Sequence, residues 1–403
     1  MSREAESRSR PGALDGLTIL DLSRVLSGPY CTMLAADMGA RVIKIEHPER
    51  GDDTRAWGPP FLAGESAYYL SINRNKESVA LDFKTPLGRK ALDELIARAD
   101  VLVENFRPGT LDRLGLGYND LQVRHPRLIY TSISGFGLNG PRRDEAGYDA
   151  VAQAEGGLMS ITGAPGGPAV RLGVAIADIA AGMFAFQGLL LALISRAQSG
   201  RGQHVDVSLL DSVAALLTYQ AARYFATGIA PVRAGNRHMT IAPYDTFEMR
   251  DGVLVLAVGT DAQWRAFCTT LARPDLAADS RFATNAQRVE RFDDLRPLVT
   301  DTLAPYRLNQ AVELLRDAGV PCGAVRSIAE ALDDPQIIAR AMIEEIDHPA
   351  IGPLKLLGLP VKLSATPGSV RLPPPRLGEH TRAVLSGDLG WSAEDVGRVM
   401  TRG

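Results

Sequence analysis

The chain has 403 residues, 45% of them apolar and 23% charged, with a formal net charge of −3. That length exceeds one ordinary core and predicts two domains, and the near-balanced charge gives no global drive toward nucleic acid or an anionic membrane. The three cysteines (Cys31, Cys268 and Cys322) are far apart and odd in number, which suits a reducing compartment and offers no disulfide framework or metal site.

The opening segment MSREAESRSRPG lacks an apolar core. It predicts a disordered tail over residues 1–13, no secretory signal and a cytoplasmic protein. LTILDL (17–22) reads as a buried strand, and the loop SRVLSGP leads into a helix from Tyr30 to Met38. Gly39 stops that helix before a second strand, RVIKIE. Strand, loop, helix and strand make a βαβ unit, hence a parallel sheet with helices on its faces. Further strands are predicted at Ser78–Leu81, Val101–Glu104 and Leu128–Ser134, with a helix over Pro86–Ala99.

The run RLGVAIADIAAGMFAFQGLLLALISR contains a helix beginning near Asp178 and ending at Ser199-Gly200. It alone approaches membrane-span length, and Asp178 and Gln187 within it favour a buried helix and no membrane. VDVSLLDSVAALL then reads as a strand entering another helix. Near Ala226 the texture changes to a loop, RAGNRHMTIAP, a hairpin turned at Asp251-Gly252, and amphipathic helices up to Gly319. The predicted fold is α/β. A Rossmann-like large domain (14–225) carries a parallel sheet, followed by a smaller α+β domain (226–325). A Pro/Gly-rich arm with a final helix (326–403) returns to the large domain.

Gly135, Gly137 and Gly140 in SISGFGLNGP match G-x-G-x-x-G, but Pro141-Arg142-Arg143-Asp144 follows where the dinucleotide fingerprint needs a helix. The match therefore weighs against a dehydrogenase and marks a loop where backbones approach closely. The six histidines fall in loops or beside Pro and Gly, and no zinc, P-loop or serine-hydrolase signature appears. No metal is expected. Polar residues instead gather at the carboxyl ends of the early strands. Arg24 and Ser27 lie in the first loop, His47 and Arg50 follow the second strand, and Asn73-Arg74-Asn75-Lys76 precede the third. Asn105 and Arg107 follow VLVE, with Arg113 beyond. Ligands of open α/β sheets bind there, and several cations suit a ligand with several phosphates.

Long segments of the chain resemble the class III CoA-transferases. They include LTILDLSRVLSGPYCTMLAADMGARVIKIEHPERGDDTR, NRNKESVALDFKTPLGR, VENFRPGTLDRLGLGY, GYDAVAQAEGGLMSITG, RLGVAIADIAAG and GRGQHVDVSLLDS. The resemblance spans nearly the whole sequence and implies an intertwined homodimer. It further implies acyl-CoA and carboxylate substrates and no permanently bound cofactor. WGPPFLAGESAYYLSINRNK and RLPPPRLGEHT resemble the branch that passes CoA from succinyl-CoA to glutarate. The resemblance assigns the nucleophile to Asp178, passing through an aspartyl mixed anhydride and an aspartyl-CoA thioester. It assigns coenzyme contacts to Arg24, Val25, Ser27, His47, Asn73, Lys76, Asn105, Phe106, Arg107, Arg113 and Tyr148. Leu26 stands where formyl-CoA transferase has Gln, and no Lys accompanies Ser134, so those two contacts do not transfer.

Two alternatives remain open at this point. The related α-methylacyl-CoA racemases share the fold and the Asp, but carry a His where this chain has Tyr148. Tyrosine, with a pKa of roughly 10, is a poor base at neutral pH. A non-catalytic CoA-binding protein would keep the coenzyme site and have no use for Asp178. A diacid acceptor needs a cation for its distal carboxylate, for which Arg55, Arg74, Arg171 and Arg237 are candidates. Asp178 is expected at the helix N-cap, where free N–H groups and the helix dipole would keep it ionised. The loop 233–243 is expected to act as a lid.

Overall fold

The computed structural model describes residues 11–401. Most of the predicted tail lies outside the described residues. The chain divides into two compact units. The first comprises the described residues up to Leu158, Arg171–Ala221 and the chain from Pro335 onward; the second comprises Met159–Val170 and Ala222–Asp334.

In the first unit, β1 (Thr18–Asp21), β2 (Arg41–Glu46), β3 (Lys76–Ala80), β4 (Val101–Glu104), β5 (Ile129–Ser134) and β6 (His204–Ser208) form one six-stranded sheet. The order is β3-β2-β1-β4-β5-β6 and every pairing is parallel. This is the doubly wound arrangement with its reversal between β1 and β4. The apolar runs of these strands have a direct cause: alternate residues go to opposite faces, and both faces are covered. Ile19, Val42, Val101 and Val103 enter one core, and Leu20, Ile43, Ile45 and Leu102 enter another.

Helix α1 (Ser27–Asp37) follows β1, α2 (Pro86–Ile96) precedes β4, and α3 (Asp149–Glu155), α4 (Ile176–Ser199) and α5 (Leu209–Leu216) complete the part that builds the site. Helix α4 is long and apolar enough to cross a membrane by composition. Here its Ala177, Ala181, Ala185, Leu189 and Ala192 are buried against the sheet and neighbouring helices. Gly182 lets α1 lie against it, since a Cβ there would come within 2.6 Å of the Ser27 carbonyl oxygen.

The C-terminal chain returns to this unit. It forms a hairpin, β10 (Ile343–His348) with β11 (Gly352–Leu357), where the Pro/Gly-rich sequence predicts only an extended arm. The arm then covers the edge strand β3. His380 N–H donates to the Ser78 carbonyl (2.9 Å), and Ala80 N–H donates to Thr381 Oγ1 (2.9 Å). An edge hidden in this way cannot pair with another chain.

The second unit holds a three-stranded antiparallel sheet, β7 (Tyr244–Met249), β8 (Gly252–Ala257) and β9 (Cys322–Ala324), with helices packed around Phe247, Trp264, Phe267 and Leu295. Its bounds are wider than the composition change suggests. Residues 159–170 join it through bonds that no local pattern announces, Gly235 N–H to the Gly163 carbonyl (3.0 Å) and Arg233 Nε to the Gly167 carbonyl (3.1 Å).

Candidate active site

The strand-order reversal leaves a crevice beyond the carboxyl ends of β1 and β4, and its two loops are stitched together. Arg24 N–H donates to Asn105 Oδ1 (2.8 Å), and Asn105 Nδ2 donates back to the Arg24 carbonyl (2.7 Å). Val25 is held at φ 70°, a conformation that disfavours a β-branched residue, and its N–H donates to Asp52 Oδ1 (3.2 Å). Asp52 is fully buried and paired with Lys44 (2.8 Å). Burial works against its charge, yet Lys44 and the Thr54 donors hold its carboxyl down at about 2. Lys76 is likewise sealed in. Its ammonium reaches Asp21 (3.1 Å), the Pro29 carbonyl (2.9 Å) and Asn73 Oδ1 (3.1 Å), while burial pulls its pKa down to about 8 despite Asp21. These buried pairs fix the floor under the strained loop.

Asp178 is not the N-cap of α4. The cap position is Ala175, which offers no side-chain acceptor, and Asp178 is the third helical residue. The open helix end is occupied by a residue the sequence analysis passed over. Asp149 Oδ1 accepts the Ala177 N–H (2.9 Å), and its Oδ2 accepts from Gln153 Nε2 (2.8 Å). Gln153 Oε1 in turn accepts the Leu172 N–H (2.9 Å), bracing the segment that enters α4. Asp178 therefore shares the helix start with a second anion. Its pKa is pushed up to about 7, first by burial and then by Asp149, against one favourable hydrogen bond from Ser27. Desolvation and like charge thus oppose the ionisation expected from the helix end.

Two hollows flank the stitched loops. The first, about 190 Å3, is lined by Arg24, Val25, Ser27, Asn105, Phe106, Arg107, Tyr148 and Asp178, with Gly135 and Gly147 in its wall. A Cβ on Gly135 would come within 2.7 Å of the Gly147 Cα, so the motif glycine serves contact between two backbone loops. The second hollow, about 250 Å3, has His47, Arg50 and Lys84 around an apolar floor of Leu22, Leu81, Phe83 and Leu111, and it shares Arg24 and Phe106 with the first. Lys84 was not singled out, because a lone Lys in a solvated turn carries no local signal.

Three predicted residues lie elsewhere. Asn73 and Lys76 belong to the buried floor and line neither hollow, because the strand they enter turns them inward. Arg113 is exposed beside Thr110 (3.3 Å) and outside both hollows. Of the arginines proposed for a diacid, Arg74 is spent on a buried bidentate pair with Asp37 (2.7 and 2.9 Å). Arg55 is spent on Glu46 (2.7 Å to each oxygen), and Arg237 makes contact with Asp293 (3.3 Å) and the Val289 carbonyl (3.3 Å). Arg171 is exposed, with a hydrogen bond to its neighbour's carbonyl (3.1 Å).

A family model described as CoA-transferase family III matches residues 14–381. The chain belongs to that family. As a family III CoA-transferase it is an enzyme that transfers CoA, with CoA thioesters as substrates. Similar curated relatives include the succinyl-CoA:glutarate CoA-transferase of Homo sapiens, 40% identical over 390 residues (97% of this chain, 89% of the relative). The succinate–glutarate CoA-transferase of Agrobacterium fabrum is 41% identical over 384 residues (94% and 96%). A crystal structure of a CAIB/BAIF family protein from Brucella suis superposes with a TM-score of 0.84 at 40% identity, covering 94% of this chain and 99% of the other. The mixed α/β fold and its six-stranded parallel sheet are therefore those of a family III CoA-transferase, and the two hollows lie where such a sheet binds ligands.

Proposed function

We propose that this enzyme passes CoA from succinyl-CoA to glutarate or a similar dicarboxylate, with Asp178 as the nucleophile. The observation that carries the reading is a half-buried carboxylate in the wall of the first hollow, on a chain about 40% identical to two enzymes named for that exchange. Asp178 Oδ attacks the thioester carbonyl; a C–O bond forms, the C–S bond breaks and CoA thiolate leaves. The thiolate then attacks the aspartyl carbonyl of the mixed anhydride, releasing succinate and leaving an aspartyl-CoA thioester. The acceptor carboxylate displaces CoA to form a second anhydride, and the thiolate takes the acceptor acyl group, restoring the Asp178 carboxylate. Burial assists the first step, because a carboxylate stripped of water is the stronger nucleophile.

The second hollow suits the nucleotide end of the coenzyme, with His47, Arg50 and Lys84 for phosphates, and Phe106 stands between it and the acyl site. Among the candidate cations, Arg171 is exposed and outside any ion pair among the described residues, which supports it for the distal carboxylate. Met183, Leu191 and Ile194, exposed within one face of α4 at helical spacing, support a homodimer. Three cysteines without disulfides support a cytoplasmic setting.

The test combines several acyl-CoA donors with mono- and dicarboxylic acids and reads products by mass spectrometry, with hydroxylamine added during turnover. Glutaryl-CoA from succinyl-CoA and a hydroxamate at Asp178 are expected. Label on another residue, or α-proton exchange without any acceptor acid, overturns the assignment.

A further inference from the structure

Behind the loop Asn105–Arg107 lies a third hollow of about 270 Å3, lined among others by Glu104, Arg107, Tyr118, Tyr130, Ser132, Arg143 and His204. Its back wall is a hydrogen-bonded chain across three adjacent strands. Glu104, last residue of β4, pairs in register with Ser132 of β5 and takes a hydrogen bond from its hydroxyl. Ser132 Oγ lies 2.9 Å from His204 Nε2, on the first residue of β6. His204 is stacked on Tyr118, with ring centroids 4.7 Å apart. The other oxygen contact is the informative one: Glu104 Oε2 accepts the Phe106 N–H at 2.8 Å. Phe106 lines both hollows assigned to the coenzyme, and its neighbour Asn105 stitches this loop to Arg24. Glu104 is buried and lines neither of those hollows, and its side chain meets the coenzyme loop through that backbone bond.

We propose that Glu104 is a positioning residue that holds the coenzyme loop through Phe106, and that the Glu104–Ser132–His204 chain makes this hold responsive to protons. An ionised carboxylate binds an N–H roughly twice as strongly as a neutral carbonyl does. In that state Glu104 accepts from both Phe106 and Ser132, and Ser132 is left to accept from His204. When Glu104 is protonated, its hydroxyl donates to Ser132, Ser132 donates to His204, and Phe106 keeps only a neutral acceptor. The reversal moves the proton of neutral His204 from Nε2 to Nδ1 and needs no rearrangement of heavy atoms.

The surroundings set the range. Burial, then the nearby Asp112 and Asp206, push Glu104 up to about 7, against the Ser132 and Phe106 donors. Burial also lowers His204, which keeps it neutral and able to accept or donate at Nε2, while Asp206 and Asp112 oppose that. Arg107 and Arg143 face the same hollow, and Tyr130, whose hydroxyl donates to the Leu116 carbonyl (3.1 Å), is held uncharged by burial. The sign follows: the grip is complete above pH 7 and weakens as pH falls through that value.

The inference rests on the coenzyme occupying the first two hollows, so Arg24→Ala is measured in parallel. KM for succinyl-CoA and kcat are measured from pH 6 to 8. Glu104→Ala should raise KM about tenfold with kcat within twofold. Glu104→Gln, which keeps an acceptor for Phe106 and cannot ionise, should stay within about threefold of the parent at pH 6 and lose the pH dependence of KM. The proposal is overturned if Glu104→Gln keeps the parental pH dependence of KM, whether or not the alanine variant folds. It is also overturned if folded Glu104→Ala leaves KM unchanged while Arg24→Ala raises it. If neither variant moves KM, the placement of the coenzyme is itself wrong and the inference falls with it.

Discussion

The most direct consequence of the site's electrostatics is that replacing Asp149 by Asn retunes Asp178 without dismantling the helix start. Asparagine keeps a carbonyl oxygen for the Ala177 N–H, now 2.9 Å from Asp149, and removes the charge together with the acceptor for Gln153 Nε2. Asp178 stands at about 7 against a usual 3.8, and burial is the largest cause, with Asp149 second and Ser27 opposing. Asp149 therefore contributes less than burial does, on the order of one pH unit, or about tenfold in proton affinity. On the proposed mechanism turnover requires the ionised carboxylate, so the rate falls on the acid side of Asp178's pKa. Initial rates are read from pH 5 to 9 at saturating succinyl-CoA, where differences in coenzyme binding do not enter. The parent should lose activity below about 7, and Asp149→Asn should move that limb down by about one pH unit. Its plateau should drop about threefold, if carboxylates follow the Brønsted slope of ~0.4–0.5 known for thiolates. An acid limb that stays in place when Asp149 is neutral would refute the coupling of the two carboxylates.

Asp178→Asn should raise the melting temperature at pH 8 and have a much smaller effect at pH 4. The folded-state pKa lies above the unfolded one, so the parent's stability falls as pH rises from about 3.8 to about 7 and is level above that; equal shifts at both pH values would contradict this. Gly135→Ala forces a Cβ against the Gly147 Cα and should cost about 1–3 kcal/mol in a urea unfolding curve, with activity reduced. Lys84→Ala should raise KM for the CoA thioester and reduce its dependence on salt, leaving the KM of the acceptor acid unchanged; a steady-state series at two ionic strengths decides. Arg74→Ala strands buried Asp37 and should cost roughly 3–5 kcal/mol in denaturant titration. A raised KM for the diacid at unchanged stability would return Arg74 to the acceptor site.

Local pattern explains why some of this was readable and some was not. Ile19, Leu20, Ile43 and Val101 announce buried strands because both sheet faces are covered, and the order strand–helix–strand then forces parallel pairing. The family motifs carried Asp178, Arg24, Ser27, Asn105, Phe106 and Tyr148 to one hollow. The motifs failed for Asn73 and Lys76, where polar type was taken for exposure, while the fold closes those side chains around Asp21. His204 was read as a loop residue, yet it opens β6 and reaches Ser132 across the sheet.

What the sequence determined by itself was therefore the strands of the parallel sheet, the family and the candidate for the reactive carboxylate, all written in neighbouring residues. The tertiary structure alone decided the environment of that carboxylate. Asp149 reaches the start of α4 from 28 positions earlier in the chain to accept the Ala177 N–H. Burial and charge are sums over everything nearby in space, and a linear pattern records only what is nearby in the chain.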